Sequence, residues 1–104
     1  MDVPSGVNRA LDLALELKAH GLVVLDLRGI CTATDFFVLA SGASDVQVRA
    51  IAEHVVEELK VEGIRPGHVE GIRGGHWILL DYFDFVVHVL HPEARIFYQL
   101  EDLW

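Results

Sequence analysis

Residues 76–90 read His-Trp-Ile-Leu-Leu-Asp-Tyr-Phe-Asp-Phe-Val-Val-His-Val-Leu, two short β-rich runs separated by a polar break. The runs, 77–80 and 85–90, are filled with β-branched and aromatic residues, which favour strands. Asp81 and Asp84 lie in the break, where Asp is a common turn former, so the stretch predicts a β-hairpin. Nearly every position of both runs is apolar, which predicts strands covered on both faces, part of one face by another molecule.

Five side chains interrupt this apolar stretch and are the first candidates for a functional surface. A core strand has no need of two carboxylates, an imidazole and a Tyr hydroxyl. Trp is a typical anchor of protein interfaces, although it is also a common core residue. The five candidates are Trp77, Asp81, Tyr82, Asp84 and His88.

The rest of the chain predicts helices and strands around the hairpin. Ser44 and Gln47 form a capping box at the start of the second helix, and apolar residues continue at helical spacing to Leu59. Ser5 is the predicted cap of the first helix, and Gly21 follows its last turn. The predicted elements are helices at 5–20 and 44–62, strands at 22–27, 36–40, 68–72, 77–80 and 85–90, and one or two short helices after Pro92.

This order of elements predicts one α/β domain over residues 1–104. The helix at 44–62 serves as a crossover connection, so we expect a mixed sheet of about five strands with the helices mainly on one face. The chain has 104 residues, of which 52% are hydrophobic, and this is enough for a core without covalent staples. Cys31 is the single Cys, so no internal disulfide is expected.

The charge balance bounds the class of partner. Sixteen acidic residues against eight basic residues give a formal net charge of −8. Such a chain is repelled by phosphates, so direct sequence-specific binding of nucleic acid is not expected and a basic protein partner is favoured, although acidity also simply serves solubility. No apolar run approaches the roughly 20 residues of a membrane helix, and the N-terminus has no targeting pattern. A cytoplasmic protein without membrane attachment is therefore expected.

Two groups of residues have the composition of a ligand site, one for a metal ion and one for a phosphate, and each also has a purely structural explanation. Asp81 and Asp84 make a carboxylate pair suited to a metal ion, yet two Asp at a hairpin are more often turn formers. The segment 41–44, Ser-Gly-Ala-Ser, faintly resembles a phosphate loop. It lacks the Lys and the longer Gly pattern of such a loop, and helix capping already accounts for Ser44.

The histidines and the cysteine offer metal or nucleophile chemistry. His88 and His91 with Cys31 or Asp84 have the residue types of a zinc site, but two His three apart on a strand point to opposite faces. His88 is therefore predicted to be a hydrogen-bonded residue at a surface. Cys31 is predicted to be a plain thiol, since no helix N-terminus or nearby cation is evident. No metal and no cofactor are expected.

Residues spread over most of the chain follow one pattern: 34–42, Ser44, Gln47, Val48, 50–52, 69–71, 77–82, Asp84, 86–89, Arg95, Phe97, Tyr98, Leu100, Glu101, Leu103 and Trp104. This pattern closely resembles the ribosomal silencing factor family, also called Iojap-like, from about residue 8 to the C-terminus. Because the match is spread over so many separate positions, the resemblance is specific.

The resemblance implies a non-enzymatic factor. Members of this family bind the large ribosomal subunit through large-subunit ribosomal protein fourteen, a basic protein, and block joining of the small subunit, which lowers translation when nutrients are scarce. It also implies a fold similar to nucleotidyltransferases without their catalytic acids, and a homodimer. The alternative is a metal-dependent enzyme of nucleotidyltransferase type that uses Asp81 and Asp84. The motif implies these partner-binding residues: Glu70, Arg73, Trp77, Leu79, Asp81, Tyr82, Asp84 and His88.

One position departs from the family pattern. Phe83 stands where the family often has Gly between the two acidic positions. Gly allows a positive φ angle there, which Phe resists. The sequence leaves two outcomes open: a slightly different turn, or additional apolar contact area from Phe83.

Overall fold

The computed structural model describes residues 3–94, which form two helices and five strands. The predicted order of elements is confirmed up to the end of the hairpin. Of the short C-terminal helices predicted from Pro92 on, residues 92–94 are helical and the rest lies outside the described residues. The elements are α1 (Ser5–Glu16), β1 (His20–Asp26), β2 (Phe36–Ser41), α2 (Asp45–Val61), β3 (His68–Glu70), β4 (Trp77–Asp81) and β5 (Phe85–Leu90).

The five strands form one mixed sheet in the order β1-β2-β5-β4-β3. β2 and β5 run parallel in the middle of the sheet, and the other neighbouring strands are antiparallel. A parallel pair needs a long connection, and α2 together with β3 and β4 supplies it. The predicted α/β domain with a mixed five-stranded sheet is therefore confirmed.

Both helices pack on the same face of the sheet, which we call the helix face. α2 buries Val48, Ile51, Ala52, Val55 and Leu59 there, the apolar stripe that helical spacing predicts. In return, alternate residues of β2, β4 and β5 point at the helices because side chains alternate along a strand. These strand residues are Phe36, Val38, Ala40, Ile78, Leu80, Phe85, Val87 and Val89.

The start of α2 is capped almost as its sequence predicts. The Ser44 hydroxyl accepts a hydrogen bond from the Gln47 backbone N–H at 3.1 Å. Gln47 Oε1, however, accepts from the backbone N–H of Ala43 at 2.6 Å, one residue before the expected partner. Gln47 Nε2 also donates to the carbonyl of Leu17 at 3.1 Å, so this side chain ties the end of α1 to the start of α2.

The first helix differs from its prediction at both ends. It begins at Ser5 with Pro4 in the cap position, and no side chain of the described residues caps its first turn. It ends at Glu16, four residues early, because Lys18 takes a positive φ of 62° and turns the chain. Gly21 thus lies within β1, next to an irregularity in its register with β2.

β3 is shorter than predicted. The strand ends at Glu70 because Gly71 takes a φ of +85°, a conformation that breaks an extended run.

Within residues 3–94, neither helix combines the length and the apolar character needed to cross a bilayer.

Candidate functional site

The opposite face of the sheet carries most of the predicted site residues. Because side chains alternate, β4 points Trp77, Leu79 and Asp81 away from the helices, whereas Ile78 and Leu80 enter the helix-face core. Glu70 lies opposite Leu79 on the neighbouring strand, and His88 lies opposite it on the other side. We call the surface formed by Glu70, Trp77, Leu79, Asp81 and His88 the second face.

A hydrogen bond fixes the centre of the second face. The Trp77 Nε1–H donates to Nδ1 of His88 at 3.0 Å, and Phe37 packs edge-on against the imidazole with ring centroids 4.5 Å apart. This contact holds the indole ring in one orientation. It also assigns the proton of neutral His88 to Nε2, which has no hydrogen-bond partner among the described residues.

The structure corrects the expected position of His88. Its side chain is hydrogen-bonded as predicted, but it is only 3% exposed, because β5 is a central strand with neighbours on both sides. Burial lowers the pKa of His88 to about 4, since a low-dielectric environment disfavours the charged imidazolium. The residue is thus a neutral support for Trp77.

A surface depression of about 250 Å³ lies on the second face, lined by Glu70, Gly71, Trp77 and Leu79. Gly71 shapes it: a Cβ atom built there would lie 2.0 Å from the Trp77 carbonyl oxygen. The backbone can pass Trp77 so closely only because this residue is Gly. The result is an apolar hollow with a carboxylate at its rim, a shape that suits an inserted side chain of a partner.

The two aspartates belong to the hairpin turn between β4 and β5. Asp81 Oδ1 accepts a hydrogen bond from the Phe83 backbone N–H at 2.9 Å, which is the turn-forming role. The Asp84 N–H donates to the Tyr82 carbonyl at 2.9 Å, and Phe83 between them has a φ of 71°. This combination is a γ-turn, a rare and strained form.

Phe83 does not change the turn: its backbone keeps the positive φ that a Gly would adopt there. The Phe83 ring is 70% exposed and lies over Gly67, where an added Cβ would be 2.7 Å from the ring. Phe83 therefore adds apolar surface at the hairpin tip and retains the strain that Gly would relieve.

Three predicted site residues lie outside the second face. Tyr82 is buried in the helix-face core, where it stacks on Phe85 with centroids 4.9 Å apart, and burial raises its pKa to about 12. Strand alternation explains this correction, since Asp81 before it already points to the second face. Arg73 is exposed in the turn before β4, and Asp84 is exposed at the hairpin tip.

The structure also brings together residues that the sequence interpretation kept apart. His76 and His91 lie directly opposite each other, because the pairing of Trp77 with Leu90 continues by one step. With Glu93 they form a cluster whose potential ligand atoms all lie within 4.8 Å of one another. The hairpin register could have predicted this cluster: if Trp77 pairs with Leu90, the next pair along the two antiparallel strands is His76 with His91.

Fold and site define a small α/β domain with its main core on one sheet face. The other face carries a smaller buried cluster of Leu39, Leu90 and Ala94 beside a mixed aromatic and acidic surface. The chain belongs to the family described as "Ribosomal silencing factor during starvation", whose sequence model matches residues 1–104. The resemblance seen in the sequence is thereby confirmed.

Individual relatives agree with this assignment. Ribosomal silencing factor RsfS of Bacillus subtilis (strain 168) is 39% identical over 87 residues, 84% of this chain and 74% of that protein. A crystal structure of a Chromobacterium violaceum protein has a TM-score of 0.95 and 32% identity, covering 100% of this chain and 87% of that chain. The Mus musculus protein "Mitochondrial assembly of ribosomal large subunit protein 1" is 28% identical over 94% of this chain and 44% of its own length.

Proposed function

We propose that this protein represses translation by binding the large ribosomal subunit and sterically blocking the joining of the small subunit under nutrient limitation. The contact is with large-subunit ribosomal protein fourteen. Family membership over the whole chain carries the proposal. The name of the mouse relative, which refers to the large ribosomal subunit, supports the choice of subunit.

The second face has the composition of a protein-binding surface. Trp77 and Leu79 are half-buried and form an apolar centre, while Glu70 and Asp81 place carboxylates around it. Interfaces often combine a central aromatic anchor with a polar rim. Because His88 holds the indole in place, little side-chain freedom is lost when a partner binds. Of the residues outside the second face, Arg73 and Asp84 are assigned to the periphery, whereas buried Tyr82 supports the fold.

Electrostatics favour a basic protein over the surrounding RNA. The net charge of −8 attracts a basic surface and speeds the encounter, whereas it repels bare phosphates. The combination restricts docking to the few places where a basic protein is exposed among RNA. This selectivity requires no catalytic group.

Blocking requires bulk and rigidity at the subunit interface. The domain measures 33 × 33 × 22 Å, and its second face lies on a sheet whose other side is a closed core. A rigid body of this size on one subunit occupies space that the other needs. The proposed mechanism is therefore steric and non-enzymatic, acting on ribosomes in the cytoplasm, and the family resemblance adds a homodimer as the proposed assembly.

The test is a subunit-joining assay followed by sedimentation, with a charge-reversal variant on each side of the domain. Glu70→Lys reverses a charge on the second face, and Glu57→Lys makes the same change on the exposed side of α2. We expect wild type and Glu57→Lys to keep the subunits apart, and Glu70→Lys to need roughly tenfold more protein, because a like charge then meets a basic partner.

Distinct outcomes would contradict separate parts of the proposal. Unimpeded joining with wild-type protein, and none of it travelling with the large subunit, would refute silencing. Equal losses in Glu70→Lys and Glu57→Lys would show that the second face is not the contact. Stabilisation by a divalent metal with a nucleotide, lost in Asp81→Asn, would favour the nucleotidyltransferase alternative.

A further inference from the structure

Two histidines and a glutamate meet at the end of the β4–β5 hairpin that lies away from its turn. The His91 backbone N–H donates to the His76 carbonyl at 2.8 Å, which extends the strand pairing by one step. The two imidazole rings stack with centroids 5.0 Å apart and planes 11° apart. Glu93 follows two residues after His91, and one ligand atom from each of the three residues lies within 4.8 Å of the others.

A carboxylate orients one of these imidazoles. Asp45 Oδ1, in the first turn of α2, lies 3.4 Å from His76 Nδ1. A proton on Nδ1 directed at Asp45 leaves the lone pair of Nε2 available. This carboxylate–imidazole arrangement is the usual support of a metal-binding His, since it fixes the tautomer and raises the basicity of the ligand.

His91, the second imidazole, would lose one weak hydrogen bond on binding a metal ion. The Glu93 backbone N–H donates to His91 Nδ1 at 3.2 Å, near the long end of the hydrogen-bond range. A metal ion at Nδ1 would replace this bond, and a metal ion at Nε2 would require the proton on Nδ1. In either case the loss is one long hydrogen bond at the surface.

Close packing around Gly75 brings His76 to Asp45. Gly75 is buried with a φ of +66°, and an added Cβ would lie 2.6 Å from Arg49 Nη1 and 2.8 Å from the Asp45 carbonyl. Arg49 Nη1 also donates to the Arg73 carbonyl at 3.3 Å. The loop before β4 is thus held against α2 before any ion binds.

We propose that His76, His91 and Glu93 bind a divalent transition-metal ion, with Zn²⁺ as the best match and water completing the coordination. Two imidazoles and one carboxylate form a ligand set that Zn²⁺ uses where one position stays open, and imidazole nitrogens select transition metals over Mg²⁺ and Ca²⁺. Tetrahedral bonds of usual length place ligand atoms about 3.4 Å apart. Rotation of the exposed Glu93 side chain, with small turns of the two stacked imidazoles toward a common point, would close the remaining distance.

The bound ion would join the loop before β4 to the segment after β5. His76 directly precedes Trp77, so the ion would restrain the edge of the second face next to its aromatic anchor. The site contains none of the residues assigned to the proposed ribosome contact, and neither proposal depends on the other. Binding to the folded state alone raises stability by mass action.

The experiment is calorimetric titration of Zn²⁺ into the full chain after chelator treatment, with thermal unfolding in parallel. We expect one equivalent to bind and to raise Tm by several degrees at saturation. His76→Ala and His91→Ala should each weaken binding at least about tenfold, and Asp45→Asn about tenfold through loss of the orienting carboxylate. The matched control is His20→Ala, at an exposed histidine on β1.

Three results would overturn the proposal. The first is a wild-type protein that binds no Zn²⁺ and shows no change in Tm. The second is a loss of binding in His20→Ala equal to that in His76→Ala, and the third is full binding in both His76→Ala and His91→Ala. Either of the last two would place the ion on other histidines. Circular dichroism of each variant without metal separates loss of the site from loss of the fold.

Discussion

The two faces of the sheet are made from the same strands but serve different ends. The helix face is closed by α1 and α2, and residues such as Phe36, Ile51 and Leu80 are at most 2% exposed. On the second face Trp77 and Leu79 are only half-buried, beside carboxylates and a buried imidazole. The helix face therefore provides most of the apolar burial, which allows the second face to hold polar groups that cost stability.

Truncating a leucine on each face should give the largest contrast. Leu59→Ala opens a cavity in a fully buried site and should lower the free energy of unfolding by about 3–4 kcal/mol. Leu79→Ala removes a half-buried side chain and should cost about 1 kcal/mol. Urea unfolding monitored by circular dichroism measures both. Equal losses would mean that the second face is as tightly packed as the helix face.

The next largest loss of stability is expected from replacing Gly71, whose backbone shapes the second face. Gly71→Ala combines a positive φ with a collision against the Trp77 carbonyl and should cost about 3 kcal/mol. Gly63→Ala is the control, because its φ of +84° is similar but nothing lies within 4 Å of the added Cβ; about 1 kcal/mol is expected there. Similar Tm values for the two variants would contradict the close approach.

The buried imidazole makes the second face sensitive to acid. Because the folded pKa of His88 is lowered to about 4, the unfolded chain binds a proton first as pH falls below about 6.5. Stability from this group is complete above that pH and is lost as pH falls toward 4, by about 2–3 kcal/mol. His88→Gln, which can still accept from Trp77, should flatten the pH dependence of Tm in this window. An unchanged slope would show that other groups cause it.

The smallest effect is a gain at the hairpin tip. Phe83→Gly relieves a positive φ while losing only an exposed ring, and it should raise stability by roughly 0.5–1 kcal/mol after the entropy cost of Gly. Thermal unfolding beside Phe83→Ala, which loses the ring but keeps the strain, separates the two terms. A Gly variant no more stable than the Ala variant would rule out strain at this turn.

Local signals in the sequence predicted much of the fold. The capping residues Ser44 and Gln47 and the apolar stripe ending at Leu59 define α2 because they act within a few turns of one helix. The prediction that Ser5 caps α1 is wrong, because Ser5 is the first residue of the helix and Pro4 takes the cap position. The end of α1 was also misplaced, because Lys18 turns the chain where no Gly is present.

The candidate site was predictable only in part. Trp77, Leu79 and Asp81 share a face by strand alternation alone, whereas Glu70 joins them through the pairing of β3 with β4. Tyr82 could have been assigned to the core by the same alternation. The burial of His88 required knowledge that β5 lies in the middle of the sheet.

The α/β class, the order of elements up to β5 and the family can be predicted from the sequence, because helix periodicity, strand alternation and motif residues are properties of short segments. Three features follow only from the tertiary structure: Trp77 donates to His88, Gly71 lets the chain pass Trp77, and His76 meets His91 and Asp45. These contacts join different strands, loops and helices, and their geometry depends on sheet order and register, which local propensities do not fix.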